Sequence, residues 1–199
     1  CADQKKVVYD ALGNLRKEIA RRRGLLNDSE YRFVWVTDFP LFEYSETEKS
    51  YTSSHHPFTM PDTDDLEKYA ENSPEKIRSR AYDVVLNGVE IGGGSIRIHR
   101  EDIQNKVFKL LKLTEEEIES KFGFLMKALS FGAPPHGGIA LGFDRLMMFL
   151  LKTNSIRDVI AFPKTQKAGC LMTDAPSAVE TDQLDELHIR VKASAQQME

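Results

Sequence analysis

Apolar positions recur along the chain at two spacings, and the changeovers between them divide it into elements. From Lys6 to Leu26, Val8, Leu12, Leu15 and Ile19 stand three or four residues apart, the period of an amphipathic helix, and Gly24 is placed to stop it. After a polar break at 27–31 the period changes sharply, and FVWVTDF (33–39) reads as a nearly continuous apolar strand. Leu41–Tyr44 and Tyr51–Ser54 flank the polar run SETEKS as a hairpin exposed at its tip. Met60–Arg80 is polar and contains proline, the composition of a mobile loop over a site. Tyr82–Leu86 and Val89–Ile98 read as two strands joined by Asn87-Gly88, a favoured pair for a two-residue type I′ turn. Helices are expected over Glu101–Leu113, with Ile103, Val107, Leu110 and Leu111 on one side, and from a Thr114/Glu117 capping box to near Gly132. In the second of these, Ile118, Phe122, Leu125 and Leu129 form a stripe read as core. A rigid turn (133–138) then leads into a short buried strand at 139–142 and a helix over Asp144–Lys152. Val159–Phe162 reads as a further strand, and Asp182–Val191 as a last helix.

Composition narrows the class. With 199 residues, 41% apolar and 29% charged, the chain suits one ordinary core with a small appendage, and the break at 27–31 divides it into residues 1–28 and 29–199. No apolar run approaches the roughly 20 residues of a membrane-spanning helix, and there is no signal-peptide pattern, so the cytosol is the default expectation. A net charge of -4 argues against a chain that binds nucleic acid chiefly through a basic surface. Arg16, Lys17, Arg21, Arg22 and Arg23 are the densest basic cluster, either a solvated helix face or a phosphate contact. Cys1 and Cys170 lie far apart without CxxC spacing, so neither a disulfide framework nor a zinc site is expected, and Cys170 reads as a small core residue. The absence of Met at position 1 fits an excised portion of a longer protein, or processing.

The chemistry concentrates on the central hairpin. A two-residue turn pairs Val85 with Glu90 and leaves Asp83 diagonal to Glu90 on one face. Either that face is wet and the acids are solvated, or a cation sits between them, and magnesium bound with a polyphosphate fits. Gly92, Gly93 and Gly94 remove side chains where a ligand or another backbone must come close. Arg97 just beyond offers a planar fork suited to a carboxylate. Simple alternation puts Arg97 on the face opposite Glu90, so one shared site requires a glycine bulge within 92–94, and a straight ladder there would count against it. His55 and His56 point different ways on an extended chain, and Pro57 keeps His56 out of helical geometry. One imidazole can therefore face a pocket, the alternative being a structural or surface role. Farther on, Asp144 reads as a helix N-cap and Gly142 gives room for close approach. Arg145, in the first turn, opposes the helix dipole, so it reaches into solvent or meets an anion.

GGIALGFDRLMMFLL (137–151) resembles motif 3 of the class II aminoacyl-tRNA synthetases. GVEIGGGSIRIH (88–99), FVWVTDFPLFEY (33–44), HHPFTMP (55–61), KFGFLMKALSFGAPPHGG (121–138) and RDVIAFPKTQKAGCLMTDAPS (157–177) resemble the bacterial-type aspartyl-tRNA synthetases, so that the likeness covers residues 30–177. It implies an α+β fold, a six- or seven-stranded antiparallel sheet flanked by helices. It also implies two steps: ATP-dependent formation of aspartyl-adenylate, then transfer of aspartate to tRNA, with no side-chain nucleophile. Arg97 would grip the aspartate side chain, with His55 near the amino acid and His56 beside it. Asp83 and Glu90 would hold Mg2+ on the ATP phosphates. Gly142, Phe143, Asp144 and Arg145 would line the nucleotide end, with Arg145 on the γ-phosphate. Substrates and partners would be L-aspartate, ATP and tRNA, in a homodimeric parent.

Stretches resembling motif 1, motif 2 and the anticodon-binding barrel are not found in the chain, and residues 1–26 look like the last helix of the inserted domain. The expectation is therefore the C-terminal third of such an enzyme, inactive by itself. Two other readings stand beside it: a non-catalytic fragment or paralogue acting as a binding module, and an asparagine synthetase-like ligase on the same fold. Whether the parent charges the aspartate tRNA alone or the asparagine tRNA as well is left open.

Overall fold

The computed structural model describes residues 1–27, 29–47 and 49–192. The elements run α1 (Lys5–Arg22), β1 (Phe33–Val36), β2 (Phe42–Ser45), β3 (Ser50–Ser53), α2 (Thr63–Tyr69), β4 (Ala81–Leu86), β5 (Val89–Ile96), α3 (Glu101–Leu110), α4 (Glu115–Ser130), β6 (Gly137–Leu141), α5 (Phe143–Leu151) and α6 (Thr181–Glu186). Four strands form an antiparallel sheet in the order β1-β4-β5-β6, and β2 pairs with β3 as a separate hairpin. The expected α+β class with an antiparallel sheet holds; the described residues supply four strands plus two rather than six or seven in one sheet. By contacts the chain divides into two compact units, Cys1–Phe143 and a second from Asp144 onward.

The core of the first unit comprises Leu41, Phe42, Met60, Leu66, Ile77, Ile98, Ile103 and Val107. Three of these, Met60, Leu66 and Ile77, lie in the stretch expected to be a mobile loop, and all three are buried. That stretch is instead folded. Asp62 caps α2 by accepting from the Asp65 N–H at 3.0 Å, which satisfies one of the helix's orphan donors. Asp65 in turn receives the Arg78 Nε at 2.6 Å. A polar average concealed a few well-placed apolar residues and one ion pair.

Several boundaries follow from local chemistry as expected. Gly24 takes a positive φ of 62° after α1, and both hydrogen bonds of the Thr114/Glu117 capping box are formed. Other expectations give way. The α1 stripe is bare: Leu12, Leu15 and Ile19 are 46–53% exposed. β6 is exposed along its length rather than buried, because it is an edge of the sheet among the described residues. The apolar strand stops at Val36, with all four residues of β1 exposed. Val159–Phe162 forms no strand: a short 3-10 turn occupies Ile156–Asp158 and Phe162 sits at φ 54°. The last helix is shorter than expected, Thr181–Glu186, and Cys170 is a free, half-exposed thiol rather than a core residue.

Candidate functional site

The β4–β5 hairpin turns on Asn87 (φ 48°) and Gly88 (φ 83°), the two positive values that a type I′ turn demands. The Asn87 side chain fixes the turn to the preceding segment. Its Oδ1 accepts from the Arg32 N–H at 2.8 Å and its Nδ2 donates to the Glu30 carbonyl at 2.9 Å. Leu86 pairs with Val89 and Val85 with Glu90; the register then slips, so that Val84 faces Gly92 and Asp83 faces Gly93. Ile91 is the extra residue, and its side chain is buried.

This bulge comes one step before the glycines, not within 92–94. From Gly92 to Ile96 the ladder to β6 is straight. The parity change that the site needs occurs all the same, because one unpaired residue reverses the alternation wherever it falls. Asp83, Glu90 and Gly93 take register positions on one face, and counting on by twos brings Arg97 to that face as well. The glycines serve another purpose. A Cβ at Gly92 or Gly94 would fall on the Ala140 or Gly138 carbonyl of β6, whereas one at Gly93 would fall on the Asp83 carboxylate. Gly93 therefore keeps open the space that Asp83 occupies. Among the described residues no three His, Cys, Asp or Glu side chains gather as a metal cluster. The Asp83/Glu90 pair still fits Mg2+, which characteristically takes one or two carboxylates and completes its octahedron with phosphate oxygens and water.

The two histidines diverge as the extended geometry requires. His55 is exposed, its ring edge-on to Phe39 at 5.0 Å. His56 turns inward, and its Nδ1 receives the Phe58 N–H at 3.3 Å and the Arg97 Nη1 at 3.1 Å. Burial pushes the His56 imidazole below its ordinary pKa, and the positive charge of Arg97 adds to that. Arg97 is tied at its backbone to the His136 carbonyl at 2.9 Å. The segment around His56 is held by residues that local patterns do not mark. Gln104, 1% exposed, donates from Nε2 to the Pro57 carbonyl at 2.8 Å. Phe58 packs edge-on against Phe122 at 5.2 Å, and Phe122 stacks on Phe108 at 5.4 Å. The one available signal was a polar residue, Gln104, within the buried stripe of α3.

A cavity of about 690 Å³ opens beside this group, lined among others by His56, Arg97, Gln104, Phe122, Leu125 and Leu129. Of the stripe read as core on α4, Leu129 is buried as expected, while Phe122 and Leu125 are half-buried, and all three contribute to the cavity wall. At the far end of the sheet the Gly142 N–H donates to the Ile91 carbonyl at 2.7 Å, carrying the β5–β6 register one step beyond the Gly92/Leu141 pair. Phe143 is 71% exposed. Asp144 lies inside the first turn of α5 and is not its N-cap, because the helix begins at Phe143. Arg145 follows it, exposed, in the second unit.

Solved structures share this arrangement of strands and helices. An aspartyl-tRNA synthetase from Entamoeba histolytica superposes with a TM-score of 0.50 at 24% identity, over 75% of this chain and 25% of that one, a likeness of fold. The family model described as tRNA synthetases class II (D, K and N) matches residues 7–166, and the chain belongs to that family. Among curated relatives, the aspartate–tRNA(Asp/Asn) ligase of Desulfatibacillum aliphaticivorans is 62% identical over 191 residues, 96% of this chain and 32% of the relative. The aspartate–tRNA ligase of Ruminiclostridium cellulolyticum is 56% identical over 190 residues, again 96% and 32%. The chain thus spans about a third of the length of the curated relatives it matches.

Proposed function

We propose that this chain is the motif 3-bearing third of an aspartate–tRNA ligase. In this reading residues 1–28 close an inserted domain and 29–199 continue the catalytic domain. The parent is a cytosolic homodimer that activates L-aspartate with ATP and passes it to tRNA. The observation that carries the reading is the bulge at Ile91, which gives Asp83, Glu90 and Arg97 register positions on one sheet face; the names of the relatives supply the substrate. Arg97 takes the aspartate side-chain carboxylate in a bidentate grip. Asparagine is rejected because its neutral amide would leave that cation unpaired. His55 lies by the amino acid, and Gly142, Phe143, Asp144 and Arg145 serve the nucleotide, with Arg145 on the γ-phosphate. Asp83 and Glu90 are the residues that would hold Mg2+, which when bound neutralises phosphate charge. No covalent enzyme intermediate is required. The α-carboxylate of aspartate attacks the α-phosphorus and pyrophosphate leaves; a terminal ribose hydroxyl of tRNA then attacks the aspartyl carbonyl carbon, loses its proton and displaces AMP. These residues contribute by orienting reactants and offsetting charge.

The test is aspartate-dependent ATP–pyrophosphate exchange by the full-length parent. Arg97→Leu should raise the aspartate KM roughly 30-fold or more, the loss expected on truncating one side of a desolvated charge contact. Glu90→Gln should raise the Mg2+ concentration needed for half-maximal rate. A folded parent without exchange would support a non-catalytic module instead.

A further inference from the structure

We propose that His56 is a positioning residue: its Nδ1 lone pair orients the Arg97 guanidinium, and the ring does not itself touch the amino acid. The inference rests on the reading that Arg97 receives the aspartate carboxylate. The direction of the contact follows from its partners. A backbone N–H and an arginine nitrogen can only donate, and both converge on His56 Nδ1, from Phe58 at 3.3 Å and from Arg97 at 3.1 Å. Nδ1 must therefore be unprotonated, and the ring proton of neutral His56 sits on Nε2. The Thr59 hydroxyl lies 3.3 Å from the same nitrogen, so three groups crowd one lone pair and the ring has little freedom to turn.

The frame around the ring is equally constrained. Gln104 holds the Pro57 carbonyl, and the Ile98 N–H donates to the Phe58 carbonyl at 2.9 Å. Phe58 lies against the Phe108/Phe122 stack and beneath the His56 ring, 5.9 Å between centroids. His56 is thus an acceptor fixed by packed aromatic residues, and it engages one of the five N–H donors of Arg97. An arginine steadied in this way loses less side-chain freedom when a carboxylate arrives. Burial and the neighbouring guanidinium also disfavour protonation of the ring, which keeps the acceptor available.

The experiment is a double-mutant cycle in the full-length parent, read by aspartate-dependent ATP–pyrophosphate exchange, with folding checked by circular dichroism. His56→Ala should raise the aspartate KM about ten-fold, the scale of a lost hydrogen bond to a charged group, and leave the ATP KM unchanged. His56→Asn, whose Oδ1 can accept near the Nδ1 position, should recover most of the loss. With Arg97→Lys already present, His56→Ala should add little. Full additivity with Arg97→Lys, or no recovery with Asn, would overturn the proposal and return His56 to direct substrate contact. If the folded wild-type parent shows no exchange, the functional reading fails and the geometric one is decided separately by long-range ¹⁵N–¹H correlation of the His56 ring. An unprotonated Nδ1 whose resonance moves on Arg97→Lys supports the proposal, and a protonated Nδ1 overturns it.

Discussion

His56 and Asp65 are both held below their ordinary pKa, His56 chiefly by burial with Arg97 adding to it and Asp65 chiefly by its hydrogen bond to Arg78, with the same consequence for stability at different pH. The folded-state pKa of His56 lies below its ordinary value, near 6.5 for a free side chain. Above that pH both folded and unfolded states are neutral. As the pH falls through it, the unfolded chain takes the proton first, so stability declines towards acid. His56→Asn should flatten the change in denaturation midpoint between about pH 7.5 and 5.5 relative to wild type. The Asp65 carboxyl is held below its usual range chiefly by the Arg78 hydrogen bond. Its contribution is present above the ordinary aspartate value of about 3.9 and is lost as the pH falls through the lower folded value. Arg78→Leu should therefore bring acid unfolding to a higher pH, measured by circular dichroism during acid titration. The divergence of His55 and His56 and the isolation of Arg97 beyond a glycine run were legible, since both depend on neighbours one to three places away. The Gln104–Pro57 and Arg78–Asp65 contacts span 47 and 13 residues, and local periodicity carries no record of such partners.

Among the elements, the β4–β5 hairpin shows how close sequence reading came and where it stopped. Turn residues, first pairs and the need for a bulge were all legible from the Asn-Gly step and the parity of Glu90 and Arg97. The position of the bulge was not, because the glycines that drew attention to 92–94 answer to β6 and Asp83. The two kinds of glycine should respond differently to alanine. Gly94→Ala drives a methyl into a backbone carbonyl and should cost about 1–3 kcal/mol in urea denaturation, typical of overpacking. Gly93→Ala meets the end of a side chain that can move. Its fold should survive, while the Mg2+ concentration for half-maximal exchange in the parent rises as Asp83 is displaced. On α4 the reciprocal Thr114/Glu117 cap was fully readable because all its parts lie within four residues. Thr114→Ala should cost about 1 kcal/mol by the same denaturation assay.

For the whole molecule, class and family were legible because several motifs occur in order, whereas the exposure of β1, β6 and the α1 stripe was not. An apolar strand reads alike whether or not another surface covers it. Phe33, Val34 and Trp35 are 57–62% exposed on a strand at the edge of the described sheet, and such an edge promotes association between chains. The 199-residue chain should therefore sediment with a concentration-dependent mass, and Trp35→Lys should reduce that dependence. Trp35 is the sole tryptophan of the sequence and stands edge-on to Tyr82 at 6.1 Å. The chain consequently carries a built-in optical gauge of its own completion. Its indole should emit at long wavelength and be readily quenched by acrylamide while β1 is bare. Addition of the remaining parental segments should shift that emission to the blue if they cover the strand, reporting assembly with no attached dye.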